Sequence, residues 1–104
     1  MASPRWTIGA RSDLREAVAY VAADSLTYAT ATARRLISAV ERLDRYPRLG
    51  RTVPEYGDPA LRELIVGSYR VVYCIENREV VILAIVHGSR DLLSHLGDEP
   101  WNLE

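Results

Sequence analysis

Apolar positions recur every three to four residues through the first half of the chain and every two through the second. Leu14, Ala17, Val18, Val21 and Ala22 form one stripe, with Ser12 as a side-chain acceptor ahead of them and Asp13 and Glu16 placing negative charge in the first turn. This spacing predicts a helix over 13–23. Before it, Arg5 to Ile8 reads as a short strand ending at Gly9. Asp24 and Ser25 restart the helical pattern, which runs through Ala29, Ala33, Leu36, Ile37, Val40 and Leu43 to about Tyr46, where Pro47 and Gly50 stop it. Two helices so closely linked predict an antiparallel hairpin, with small residues at 29 and 33 permitting close approach.

From Arg48 to Pro59 the text turns to Pro, Gly and charge, an ordered loop. Beyond it the period shortens to that of strands: Leu61–Val66, Tyr69–Ile75 and Val80–His87, separated by Gly67-Ser68 and by Asn77-Arg78. Such short turns make an antiparallel meander. The resulting class is α+β, with an N-terminal strand and a helical hairpin packed on one face of a small antiparallel sheet.

Two-residue turns place Val66 opposite Tyr69 and Glu76 opposite Glu79, and counting along the strands then assigns every side chain to a face. One face receives Arg62, Leu64, Val66, Tyr69, Val71, Tyr73, Ile75, Val80, Ile82, Ala84 and Val86, and is suited to the helices. The other receives Glu63, Arg70 and His87 among Leu61, Ile65, Val72, Cys74, Val81, Leu83 and Ile85, and lacks a helix to cover it. Arg70 falls diagonal to both Glu63 and His87, at about 7–8 Å. Two readings of this trio stand side by side: an acid/base and phosphate-binding site, or a cross-strand ion pair with a histidine at a strand end. Arg90 and His95 follow the last strand, near His87, after a sharp exit at Gly88.

Composition narrows the class. The chain has 104 residues, 48% hydrophobic and 26% charged, which suits one globular core and excludes disorder. No apolar run reaches the roughly 20 residues of a membrane span and no signal segment opens the chain, so a cytoplasmic location is expected. One cysteine, Cys74, and two histidines form no disulfide and no structural zinc set, so neither metal nor cofactor is implied. All 13 basic residues are Arg, yet the net charge is only −1, too little to hold nucleic acid by bulk charge. Residues 98–104 carry three acids and no base, an acidic tail behind a single domain over 1–97. Trp101 within that tail is expected to dock on a partner or on its own domain.

Several pieces, in order and spacing, resemble the ParE branch of the RelE/ParE toxins of type II toxin-antitoxin modules. They are Asp13-Leu14, Tyr20-Val21-Ala22, Asp24-Ser25, Leu43 to Pro47, Gly50-Arg51, Val53-Pro54-Glu55, Leu61-Arg62-Glu63-Leu64, Val66 to Tyr73 and Val86 to Asp91. The resemblance spans about Trp6 to Leu92. It implies a growth-inhibiting toxin, neutralised by a cognate antitoxin in a hetero-oligomer, and touching DNA only through antitoxin or target. ParE-like members poison DNA gyrase without chemistry of their own; RelE-like members are metal-independent nucleases that cut messenger RNA on the ribosome. A third role is a degenerate toxin acting only within an antitoxin-repressor complex. For a nuclease, Arg70, His87, Arg90 and His95 are the candidate catalytic residues; for a binding toxin, Glu63, Arg70, His87, Arg90 and Trp101 are the candidate contacts. RelE-like nucleases tend to be Lys-rich and to carry a Tyr or His after the last strand, where this chain offers only His95. That balance favours the gyrase poison.

Overall fold

The computed structural model describes residues 3–98, 100 and 103–104. Its first strand, β1, is only Arg5–Trp6, because Thr7 already caps a helix: its Oγ1 accepts the Ala10 N–H at 3.0 Å. Helix α1 therefore runs Ile8–Ala22 and starts five residues earlier than the periodicity predicts. Gly9 lies in its first turn and does not break it, and Ile8, read as a strand residue, is 71% exposed. Ser25 caps α2 (Leu26–Glu41) by accepting the Tyr28 N–H, and a single 3₁₀ turn, Arg42–Asp44, completes the expected second helix.

The loop after it contributes a two-residue strand, β2 (Arg51–Thr52), followed by β3 (Leu61–Val66), β4 (Tyr69–Glu76) and β5 (Glu79–His87). Strand order is β1-β5-β4-β3-β2. The meander is antiparallel as expected, while β1 joins β5 in parallel and makes the whole sheet mixed. Both hairpins have the predicted two-residue turns, Val66 opposite Tyr69 and Glu76 opposite Glu79. Asn77 and Arg78 sit at φ 51° and 62°, the double left-handed step whose twist matches the strands it joins.

One irregularity overturns part of the face assignment. Val72 pairs with Ala84 but Tyr73 pairs with Ile82, so Leu83 is an extra residue bulged out of β5. Beyond a bulge every side chain changes face. Ala84 and Val86, expected under the helices, join the opposite cluster with Val72, Cys74, Val81 and Leu83; Ile85 moves under the helices with Val71, Tyr73 and Leu36. β5 gives no warning of this, because Val80 to Val86 are all buried and the run has no polar face to count from.

The opposite face is also covered. Val53 from the loop and Leu92 from α3 (Leu92–Leu96) are buried against it, with Tyr56, Leu96 and Leu103 at the margin. The expectation of a bare second face does not hold. Short irregular segments do the covering, which hydrophobic periodicity does not reveal.

Tyr73 ties loop to sheet. Its ring is fully buried, its hydroxyl donates to the Pro47 carbonyl and accepts the Gly50 N–H, both at 2.8 Å. A β-carbon on Gly50 would lie 2.5 Å from the Glu63 carbonyl oxygen and 2.7 Å from the Tyr73 hydroxyl. Only glycine fits there.

Candidate functional site

The chemistry-bearing residues form two separate groups on opposite faces of the sheet. Glu63 on β3, whose side chain is wholly buried, anchors the first. β2 delivers Arg51 directly opposite it, and β4 delivers Arg70 on the diagonal. Arg51 Nε reaches Glu63 Oε2 at 2.8 Å and Arg70 Nε reaches Oε1 at 2.5 Å. The two remaining nitrogens of Arg70 grip Glu55 in a bidentate pair at 2.6 and 2.7 Å. Through its hydrogen bonds to Arg70, Glu55 is held below the usual carboxylate range; the same bonds raise Arg70 above the usual guanidinium value. The buried charge of Glu63 is thus compensated twice.

All three nitrogens of Arg70 hold carboxylates through three of its five N–H groups, and its side chain is only 13% exposed, so the fork that would grip a phosphate is taken by Glu55. Of the two readings of Glu63 and Arg70, the geometry agrees with the cross-strand ion pair.

His87 belongs to the second group. The Leu83 bulge carries it to the helix side, opposite Tyr69, where the rings meet edge to face at 5.6 Å and 81°. The expected diagonal between His87 and Arg70 does not exist; Arg70 pairs with Val86 instead. His87 Nδ1 is held by Ser89, 2.7 Å from its hydroxyl oxygen and 3.2 Å from its backbone nitrogen. Beside it opens a cavity of about 340 Å³ lined by Asp13, Glu16, Tyr20, Tyr69, His87 and Arg90. Arg90 has no carboxylate partner among the described residues and is the one cation here free to meet an anion.

His95 adjoins this second group through Asp13. Its Nε2 meets Asp13 Oδ2 at 2.9 Å, and the same oxygen accepts the Ile85 N–H at 3.0 Å. β1 ends at Trp6, paired with Ile82, so the edge of β5 beyond it has no neighbouring strand. Asp13 supplies the missing acceptor, and His95 clasps α3 to it. Asp13 reads in the sequence as a helix-start acid, and its buried role was missed because it depends on where β1 stops. Glu55 and Arg51 were also missed as partners, sitting in a stretch read only as loop. Trp101 lies outside the described residues. Cys74 is buried, and burial pushes its thiol up to about 11, so it stands as an inert core residue.

Residues 5–92 match the family described as the ParE toxin of type II toxin-antitoxin systems, parDE. The chain belongs to the ParE toxin family. It is 38% identical over 69 residues to toxin ParE3 of Caulobacter vibrioides, covering 66% of this chain and 68% of that one. Its fold is similar to a solved chain from the chromosomal ParDE toxin-antitoxin system of P. aeruginosa, with a TM-score of 0.69 at 23% identity, over 84% of this chain and 96% of that chain. A ParE toxin implies a cognate antitoxin as partner. Among the described residues no helix is long and apolar enough to cross a membrane, and no group of His, Cys, Asp and Glu suits a metal ion. Within this ParE fold the four positions that a nuclease would use are divided: Arg70 lies on one face, while His87 and Arg90 line the cavity on the other and His95 is committed to Asp13 at its wall.

Proposed function

We propose that this ParE-family toxin arrests growth by binding DNA gyrase and stabilising its cleaved DNA complex, with no bond-making chemistry of its own, and that an antitoxin neutralises it in a hetero-oligomer within the cytoplasm. The observation that carries this reading is the commitment of all three Arg70 nitrogens to Glu55 and Glu63. Phosphoryl transfer from RNA needs a cation free to meet developing negative charge and a proton carrier within reach of the same phosphate. Here Arg70 is neutralised and faces away from His87, which supports a binding role over a nuclease. Exposed apolar side chains on the helical hairpin, Tyr20 at 80%, Leu26 at 76% and Tyr28 at 71%, offer protein-binding anchors of the kind that dominate interfaces.

The test runs two reactions in parallel, gyrase with supercoiled plasmid and ribosomes translating a message. Linear plasmid that accumulates with added protein, and an intact message, are expected. Message cleavage at codon positions with no linear plasmid would overturn the proposal.

A further inference from the structure

A groove runs between α2 and the tip of the β3–β4 hairpin, about 520 Å³ in volume, and its polar lining is Arg34, Arg35, Ser38 and Arg42. No acid and no aromatic ring lines it. The three arginines are exposed and have no carboxylate partner among the described residues, in a chain whose other cations include Arg5, Arg51 and Arg70 in ion pairs. Arg34, Ser38 and Arg42 recur at four-residue steps, so they line up over about 12 Å of helix axis. Arg35 is placed independently: its guanidinium lies over Gly67, 3.2 Å from where a β-carbon would stand. The left-handed turn at Gly67, φ 58°, holds the hairpin tip clear and leaves the fork beside the row.

We propose that this groove binds the sugar-phosphate backbone of duplex DNA directly, a contact beyond the indirect one that the resemblance to ParE-like toxins implies. A row of about 12 Å faces several successive phosphates of one strand, which follow at about 3.4 Å along the duplex axis, and guanidinium forks grip phosphates bidentately. The lining argues for backbone contact alone. Single-stranded nucleic acid is held by stacking on aromatic rings, and none is present; double-stranded RNA is read through 2′-hydroxyls across about 16 bp, beyond the reach of one short row with one hydroxyl. The contact is local: with a net charge of −1 the molecule as a whole does not pull on DNA, so binding is weak and strongly salt-dependent. This inference does not rest on the gyrase proposal, because it concerns the chain and DNA alone.

The test is fluorescence anisotropy of a labelled 20-bp DNA duplex titrated with the full chain at several salt concentrations, without gyrase. About three phosphate contacts give a slope of log affinity against log salt near −2.7. The variant Arg34→Gln/Arg35→Gln/Arg42→Gln, with an unchanged melting temperature, should bind at least tenfold more weakly and lose most of that slope. Arg11→Gln/Arg15→Gln/Arg78→Asn removes equal charge outside the groove and should bind within about twofold of wild type. Equal losses in both variants would reduce the effect to net charge and overturn the proposal. Tighter binding of single-stranded or duplex RNA of the same length, or of poly-glutamate, would overturn the assignment to DNA. Gyrase poisoning is scored separately, so either proposal can fail while the other stands.

Discussion

Glu63 and Arg70 meet across β3 and β4 at 2.5 Å, with the carboxylate wholly buried and the guanidinium 13% exposed. A buried charge deprived of its partner is among the most costly defects a fold can carry. Arg70→Ala leaves Glu63 with Arg51 alone and strips Glu55 of its partner, and is predicted to destabilise the protein by about 1.5–3 kcal/mol, read by denaturant unfolding. Arg70→Ala and Glu63→Ala should couple strongly in a double-mutant cycle, while Arg62→Ala, whose guanidinium donates to the Gly50 carbonyl, should add independently of Arg70→Ala. Coupling of Arg62 to Arg70 would contradict the register.

Glu55 makes the same network sensitive to acid. Its folded pKa lies below its ordinary 4.5, because Arg70 binds the ionised form. Its contribution is present above the unfolded value and is lost as pH falls through the folded one. Glu55→Gln is expected to lower stability at neutral pH and to flatten its decline between about pH 5 and about pH 3. Melting curves across that range would show it; parallel declines in both proteins would contradict the pairing.

Tyr73 and Gly50 make a second sharp case. Tyr73→Phe leaves the Gly50 N–H without its acceptor and the Pro47 carbonyl without its donor, predicting a loss of about 1–3 kcal/mol. Gly50→Ala should be worse, since the added carbon meets backbone. A Gly50→Ala protein as stable as wild type would show that the loop does not pack as described.

Cys74 should be silent. Buried and with its thiol pushed up to about 11, it should resist a thiol reagent at pH 8 until denaturant unfolds the chain. Rapid labelling of the folded protein would contradict a closed second face.

Much of this arrangement is legible in the residues. The second helix, the three long strands and both turns follow from period and turn chemistry, and two-residue turns alone place Arg70 diagonal to Glu63. What failed was local geometry with no pattern behind it. Thr7 takes over as cap because its hydroxyl reaches the Ala10 N–H, a choice that Ser12 and Asp13 mask in the text. The Leu83 bulge is invisible in a strand buried on both faces, and it alone separates His87 from Arg70. Asp13 acquires a buried role only because β1 stops at Trp6, leaving the Ile85 N–H to be satisfied. The family resemblance rested on short pieces in order, and those pieces survive such local shifts.

The most direct test of a toxin without chemistry is the yield of linear plasmid from gyrase in the presence of His87→Ala, compared with wild type. His87 is exposed at a strand end, so the fold should tolerate the change. A binding toxin predicts linear plasmid within a few-fold of wild type. Codon-position cleavage of message that disappears in His87→Ala, in a variant that melts at the wild-type temperature and with no linear plasmid from the wild-type protein and gyrase, would contradict it, because cleavage of that kind needs an essential proton carrier.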